Sequence, residues 1–187
     1  IISFGSRRLI LQTVAEEFSD RFGPVTSEEA GAALEATFRA FWADEVRAAH
    51  WRQNLVEGRK LAVAAAFQTL AERAPGLTPD FAAIFGARFH AYREEQAKFF
   101  PGALETVEEL KRLGVKLALV TNGAAEPQRA KVERFDLARL FDHVQIEGEA
   151  GFGKPEEKAY LHAMQALGVT PDETWMVGDN LEWEVVA

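Results

Sequence analysis

Residues 117–123 decide the fold, because they read Leu-Ala-Leu-Val-Thr-Asn-Gly, an apolar run that stops at a hydroxyl, an amide and a glycine. A short apolar run without helical spacing is typical of a buried strand. Outward from this stretch, the sequence predicts strands at 143–146 and 175–177 and helices at 107–113, 125–134 and 155–167. Strands that alternate with helices predict an α/β domain with a parallel sheet and right-handed crossovers.

Residues 7–98 show a different pattern, because their apolar side chains recur at spacings of three and four. That spacing predicts amphipathic helices. The helical stretches are separated by Gly23-Pro24, Gly58 and Pro75-Gly76. Residues 1–4 read as a short apolar strand before the first helix. We therefore predict an α/β domain formed by residues 1–6 and 99–187, with residues 7–98 inserted as an all-helical domain.

The composition excludes several classes of function. The 187 residues carry a formal net charge of −8 and include no cysteine. An acidic chain is poorly suited to the phosphate backbone, so we expect no nucleic-acid partner. The lack of cysteine excludes thiol catalysis, cysteine–zinc sites and disulfides, and it fits a cytoplasmic protein. No run of about 18 apolar residues occurs, so we expect no membrane span.

The first candidate site segment, Thr121-Asn122-Gly123, directly follows the predicted strand. In open parallel sheets, ligands bind beyond the carboxyl ends of the strands. We expect the Thr121 hydroxyl to donate to a phosphate oxygen there, with the backbone amides that follow facing the same anion. The competing interpretation is that Thr121 and Asn122 only cap the next helix.

The second candidate segment, residues 151–155, reads Gly-Phe-Gly-Lys-Pro. Its two glycines favour a tight loop, and Pro155 suits the first turn of a helix. The ammonium group of Lys154 in such a loop can neutralise negative charge on a phosphate or on a carboxylate nucleophile. A single loop lysine is more often solvated, so this segment indicates a site only together with the other two.

The third candidate segment begins at Gly178-Asp179, after the predicted strand 175–177, and has a second acid, Glu184, five residues further on. Mg²⁺ prefers one or two carboxylates and completes its coordination with water and substrate oxygens. Asp179, supported by Glu184, therefore predicts a magnesium site. The alternative is that Asp179 caps the helix that follows.

A weaker metal candidate is the pair His90 and Glu94, which lie four residues apart on one predicted helix. Side chains at this spacing meet on the helix surface whether or not they bind a metal. We interpret them as a surface pair.

Taken in order, the three segments resemble the second, third and fourth motifs of the haloacid dehalogenase superfamily, in its helical-cap phosphatase branch. The matching residues are Val120-Thr121-Asn122-Gly123, Gly153-Lys154-Pro155 and Val177-Gly178-Asp179 with Glu184. The resemblance is specific over residues 99–187 and loose over 7–98, which look like the cap. It implies a Rossmannoid three-layer α/β fold with a parallel sheet and an inserted all-helical cap.

The resemblance also implies a function, that of a Mg²⁺-dependent phosphatase acting on a small phosphorylated metabolite or nucleotide through an aspartyl-phosphate. The resemblance implies that Thr121 and Lys154 are catalytic residues. It also implies that Asp179 binds Mg²⁺ and that Glu184 orients the ligands around the metal. The phosphate-binding residues that it implies are Thr121, Asn122, Gly123 and Lys154. We expect a monomer or homodimer.

One motif of the family is missing from the sequence. Its nucleophile is the first Asp of an Asp-x-Asp motif after the first strand, and the second Asp is the general acid and base. No Asp-x-Asp occurs among the 187 residues, and Gly5 directly follows Phe4. We expect the motif to belong between Phe4 and Gly5, because residues 1–4 read like the strand that leads into it. The alternative is a natural pseudoenzyme.

Two other functions stay open. A metal-independent 2-haloacid dehalogenase would share the fold and the nucleophile, although the acidic pair Asp179 and Glu184 favours the metal-dependent branch. A catalytically inactive binding or scaffold protein with the same fold is the second alternative. Loss of activity on chelation separates the phosphatase from the dehalogenase, and an intact Asp-x-Asp in the complete gene would argue against the scaffold.

Overall fold

The computed structural model describes residues 1–51 and 54–178, in a chain that forms two compact units. Unit 1 comprises Ile1–Pro101, and unit 2 comprises Gly102–Ala187. In the described ranges, unit 1 is helical apart from two short strands, whereas unit 2 mixes strands with helices. No helix within these ranges has the length and apolar character that crossing a membrane requires. The fold class predicted from the sequence, an α/β protein with a helical part, is confirmed, whereas the predicted domain bounds (1–6 and 99–187 for the α/β domain, 7–98 for the helical one) stay a prediction.

Each long helix of unit 1 is preceded by a polar residue that caps it. Its elements are β1 (Ile2–Ser3), α1 (Arg7–Glu17), α2 (Ser19–Phe22), α3 (Ser27–Ala43), α4 (Glu45–Trp51), α5 (Leu55–Leu70), α6 (Pro79–Glu95) and β2 (Lys98–Phe99). The side chains of Ser6, Thr26, Asn54 and Thr78 accept a first-turn N–H of α1, α3, α5 and α6 respectively. These caps satisfy N–H groups that have no partner within the helix.

A residue predicted to separate two helices, Gly58, lies inside α5 instead. A Cβ atom at Gly58 would lie 2.9 Å from Trp42 Cη2 and 2.9 Å from Trp51 Cβ. The glycine therefore allows α5 to approach α3 and α4 closely. The prediction was wrong because an isolated glycine in a helical pattern marks either a break or a close contact.

Phenylalanine rings from α2, α3, α5 and α6 form the core of unit 1. The largest fully buried side chains there are Phe22, Phe38, Phe67, Phe85 and Phe89. Phe38 and Phe89 pack edge to face with centroids 5.2 Å apart, and Phe67 and Phe85 do so at 5.4 Å. These are favourable geometries for aromatic pairs. The packing of these rings, more than helix propensity, holds the helices together.

We expect Thr26→Ala to lower the free energy of unfolding by about 0.5–2 kcal/mol, because it removes a helix cap. Thr26 Oγ1 accepts the Glu29 N–H at 3.2 Å, and Glu29 Oε2 accepts the Thr26 N–H at 2.9 Å. The latter bond lowers the pKa of Glu29. Urea unfolding measures the effect. Thr26→Ser keeps the oxygen and should stay within about 0.5 kcal/mol; unchanged stability of Thr26→Ala would contradict the capping role.

The strand predicted at residues 1–4 forms, but with a different partner from the one expected. β1 pairs antiparallel with β2, so that Ile2 lies opposite Phe99 and ties the two ends of the helical segment together. Gly5 follows with φ +75°, and its N–H donates to Ser3 Oγ at 3.1 Å. Within the described residues, β1 is therefore not a strand of the parallel sheet. The position of the Asp-x-Asp motif stays a prediction.

The described part of unit 2 is built around a parallel pair of strands. Its elements are α7 (Ala103–Arg112), β3 (Ala118–Thr121), α8 (Ala125–Arg134), α9 (Leu137–Leu140), β4 (His143–Ile146), α10 (Glu147–Ala150), α11 (Glu157–Leu167) and a 3₁₀ turn (Pro171–Glu173). Ala118 lies opposite His143 and Thr121 opposite Ile146. The parallel arrangement predicted from the alternation of strands and helices is confirmed for this pair.

The strand predicted at residues 175–177 is not formed. These residues have no regular secondary structure, and Trp175 and Val177 are 92% and 88% exposed. An apolar strand requires a neighbour to pair its backbone groups and cover its side chains. Within 1–51 and 54–178, no strand plays that part. The predicted metal ligands Asp179 and Glu184 lie outside the described residues.

Candidate active site

The candidate site lies where the two parallel strands end. Thr121 is the last residue of β3 and is paired with Ile146, the last residue of β4. Parallel strands present their carboxyl ends at the same edge, so the residues that follow them become neighbours. Asn122 follows β3 and Glu147 follows β4, and the loop that carries Lys154 connects α10 to α11.

The side chain of Asn122 forms hydrogen bonds with both the N–H and the C=O group of Lys154. Its Nδ2 donates to the Lys154 carbonyl oxygen at 2.6 Å, and its Oδ1 accepts the Lys154 N–H at 2.9 Å. We call this pair of bonds the Asn122 clamp. It joins residues that are 32 positions apart in the chain. The structure thus brings together two of the segments that the sequence singled out separately.

We expect Asn122→Ala to destabilise the protein by about 1–3 kcal/mol, because it leaves the half-buried N–H and C=O of Lys154 without these partners. Chemical unfolding measures the loss, and the exposed Gln165→Ala on α11 serves as the control. If Asn122→Ala were as stable as Gln165→Ala, the clamp would not hold the loop.

A third residue, Glu147, belongs to the same cluster and was missed in the sequence. Glu147 as a whole is 5% exposed, and its Oε2 accepts the Gly123 N–H at 2.8 Å. The Gly123 amide, predicted to face a phosphate, is therefore already bonded to a carboxylate. Its role as a phosphate ligand stays a prediction, and it requires Glu147 to move aside. Its position in the sequence could have indicated it, because Glu147 directly follows β4 as Asn122 directly follows β3.

Gly153 is required by the close packing of this cluster. A Cβ atom on Gly153 would lie 2.8 Å from Asn122 Oδ1 and 2.8 Å from both Cγ and Cδ of Glu147. Contacts this short force the neighbouring side chains to move. In the sequence, the glycines around Lys154 predict a tight loop. The structure adds that Gly153 leaves room for the Asn122 clamp and for Glu147.

The hydroxyl of Thr121 does not cap the next helix. Helix α8 begins at Ala125, and its N-cap, Ala124, makes no side-chain hydrogen bond. The competing interpretation, in which Thr121 and Asn122 act only as caps, is therefore wrong. Thr121 is half-buried, and among the described residues its Oγ1 makes one long contact, 3.5 Å, to the carbonyl oxygen of Asn122. A hydroxyl held this weakly is free to turn toward a ligand.

An ion pair fastens α8 to α10 beside the cluster. Arg129 Nε donates to Glu149 Oε1 at 2.8 Å, and Arg129 Nη2 binds the second carboxylate oxygen. The hydrogen bonds from Arg129 lower the pKa of Glu149. Both side chains are about a third exposed, so the pair orients the α10 segment more than it stabilises the fold.

The described residues give no complete metal site. Within residues 1–51 and 54–178, no group of three His, Cys, Asp or Glu side chains is arranged to hold a metal ion. The carboxylate of Glu147, which lies beside the predicted phosphate-binding residues, accepts a hydrogen bond from Gly123. The predicted magnesium site at Asp179 and Glu184 therefore stays a prediction.

Comparison with known proteins identifies the family. The model of the haloacid dehalogenase-like hydrolases matches residues 4–187. A phosphoserine phosphatase of Thermus thermophilus is 40% identical over 97 residues, which is 51% of this chain and 39% of that protein. A glyceraldehyde 3-phosphate phosphatase of Methanopyrus kandleri is 33% identical over 107 residues, 57% of this chain and 46% of that protein. The chain thus spans less than half the length of these curated relatives.

A solved structure agrees at the level of the fold. The HAD-hydrolase YfnB of Bacillus subtilis, solved with magnesium bound, superposes with a TM-score of 0.63 at 19% sequence identity, over 96% of this chain and 73% of that one. The chain belongs to the haloacid dehalogenase-like hydrolases. The α/β fold with a helical cap, expected from the three motifs, is confirmed.

Proposed function

We propose that this protein is a Mg²⁺-dependent phosphatase that hydrolyses a small phosphorylated metabolite or nucleotide through an aspartyl-phosphate. The observation that carries the proposal is the Asn122 clamp, which fixes the Lys154 backbone beside the loop that follows Thr121. The two relatives that act on phosphorylated small molecules support the substrate class. The net charge of −8 makes a small substrate more suitable than a nucleic acid.

Each residue of the cluster has a part in this proposal. The Lys154 ammonium neutralises negative charge that builds on the phosphoryl group. The Thr121 hydroxyl donates to a phosphoryl oxygen, for which its single long contact leaves it available. Asn122 is a positioning residue, because its side chain is engaged with the Lys154 backbone. Gly123 offers its N–H to the phosphate when the Glu147 carboxylate is displaced.

In the proposed site, Asp179 holds Mg²⁺ and Glu184 orients the surrounding water. Mg²⁺ held there would supply positive charge that offsets the negative charge of the phosphate. The attacking Asp has no Asp-x-Asp counterpart among the 187 residues. Experiments on turnover therefore use the protein expressed from its complete gene.

Titration of the ¹⁵N-labelled protein with inorganic phosphate and Mg²⁺ tests the location of the site. We expect saturable amide shifts at Thr121, Gly123 and Lys154. Lys154→Gln should weaken this binding about 10- to 100-fold, because a hydrogen bond to a charged group contributes about 1.5–3 kcal/mol. Shifts that avoid these three residues, or that Lys154→Gln leaves unchanged, would place the phosphate elsewhere and contradict the proposal.

A further inference from the structure

Unit 1 contains a cluster of three arginines, separate from the residues at β3 and β4. Arg7 lies on α1, Arg59 on α5 and Arg93 on α6; we call them the arginine cluster. Arg59 is only 8% exposed, whereas Arg7 and Arg93 are half-buried. Burial, together with the positive charges of Arg93 and Arg7, lowers the pKa of Arg59 to about 10 against the opposing effect of Glu94. Arg59 is therefore charged at neutral pH.

The carboxylates around the arginine cluster are fewer than the guanidinium groups. Glu35 is engaged by Arg7, whose Nε and Nη2 donate to its two oxygens at 2.7 and 2.8 Å. Glu94 accepts from Arg93 Nη1 at 2.9 Å and lies 3.9 Å from Arg59 Nη1. Among the described residues, two carboxylates thus face three guanidinium groups. One positive charge has no carboxylate of its own.

The remaining partner of Arg59 is a histidine. Arg59 Nη1 lies 2.5 Å from His90 Nδ1, and because a guanidinium group only donates, His90 Nδ1 must accept. His90 and Glu94 were interpreted as a surface pair, but the structure places both beside a buried arginine. Within residues 1–51 and 54–178, Nε and Nη2 of Arg59 make no hydrogen bond. Several donors of a nearly buried guanidinium group are therefore available to a ligand.

The guanidinium plane of Arg93 is also fixed. Its Cζ atom lies 3.5 Å from the centroid of the Phe4 ring, in a stacked cation–π contact. Together with the bond to Glu94, this contact holds Arg93 in one orientation. A preorganised guanidinium fork recognises carboxylate and phosphate groups through paired N–H donors.

We propose that the arginine cluster binds an anionic group, a carboxylate or a phosphate, of a small molecule. The surplus positive charge and the available donors of Arg59 fit a ligand of this charge. This anion site does not depend on the proposed phosphatase function.

Arginine Nε–Hε resonances report binding at this cluster without requiring activity. Titration of the full chain with acetate, and separately with inorganic phosphate, should shift the Arg59 and Arg93 signals saturably. The Arg39 signal should change little, because that side chain is 78% exposed on α3. The same shifts should persist in Lys154→Gln, which weakens only the site at β3. Shifts no larger than those of Arg39 would overturn the proposal.

Two variants test the residues themselves. We expect Arg59→Gln to weaken acetate binding, followed at Arg93, at least tenfold. Arg93→Gln, followed at Arg59, should do the same and serves if Arg59→Gln fails to fold. Arg39→Gln is the matched control and should bind as the parent protein does. Binding that survives both cluster substitutions would overturn the proposal.

Discussion

Lys154→Met is expected to lower kcat for phosphate-ester hydrolysis by about 10²–10³-fold, because removing one preorganised charge-stabilising group from an active site has an effect of this size. The substitution leaves the Asn122 clamp in place, since both of its bonds go to the Lys154 backbone. Stability should therefore change little while turnover falls. Steady-state kinetics with a phosphomonoester, alongside urea unfolding, measure the two effects separately.

The matched control for Lys154→Met is Lys158→Met, in the first turns of α11. Lys158 is exposed, and its ammonium group lies 4.4 Å from the centroid of the Phe152 ring. We expect kcat within about twofold of the parent, because exposed substitutions rarely change free energies by more than about 0.5 kcal/mol. Equal losses of kcat in the two variants would show that turnover depends on the overall positive charge and not on the position of Lys154.

Phe85→Ala is expected to lower the free energy of unfolding by about 3–5 kcal/mol, the usual range for removing a buried phenylalanine. Phe85 is completely buried, and its ring centroid lies 5.4 Å from that of Phe67 and 5.9 Å from that of Phe22. Truncation removes both contacts and leaves a cavity between α2, α5 and α6. Urea unfolding measures the change.

The neighbouring residue on α6 provides the control for Phe85→Ala. Ile84 is 54% exposed, so we expect Ile84→Ala to alter stability by about 0.5 kcal/mol or less. Both variants remove apolar atoms from the same turn of helix, and they differ in burial. A loss below about 1 kcal/mol for Phe85→Ala would mean that the phenylalanine core does not hold unit 1 together.

The sequence predicts the elements of this fold better than the contacts between them. The predicted strands at 117–120 and 143–146 are half-buried to buried, and the local hydrophobic pattern reports such burial directly. Residues 175–177 have the same apolar character, yet they form no strand in the structure. A strand depends on a partner elsewhere in the chain, which local periodicity does not encode.

In the candidate site, too, the sequence predicts individual residues better than the contacts between them. Thr121 and Lys154 stand out because each follows an apolar or glycine-rich segment. The bonds from Asn122 to the Lys154 backbone span 32 residues, and no spacing rule predicts them. Glu147 was missed because an acidic residue at the start of a helix is commonly explained by its favourable interaction with the helix dipole.

The arginine cluster left a weaker signal in the sequence. Arg59 precedes Ala62, Val63 and Ala66 on α5, so it falls on the face that these buried residues define. A charged residue at an apolar helical position is uncommon and indicates a specific partner. The partner helix, α6, supplies His90 and Arg93, which are 31 and 34 positions away. Only the packing of α5 against α6 brings them together.

The most direct measurement is phosphate release from O-phosphoserine and glyceraldehyde 3-phosphate by the protein expressed from its complete gene. The account predicts turnover in Mg²⁺, loss of turnover in excess EDTA, and recovery when Mg²⁺ is restored. Halide release from 2-chloropropionate, assayed in parallel, should stay at background. Phosphate release that EDTA leaves unchanged, or halide release without phosphate release, would contradict a Mg²⁺-dependent phosphatase.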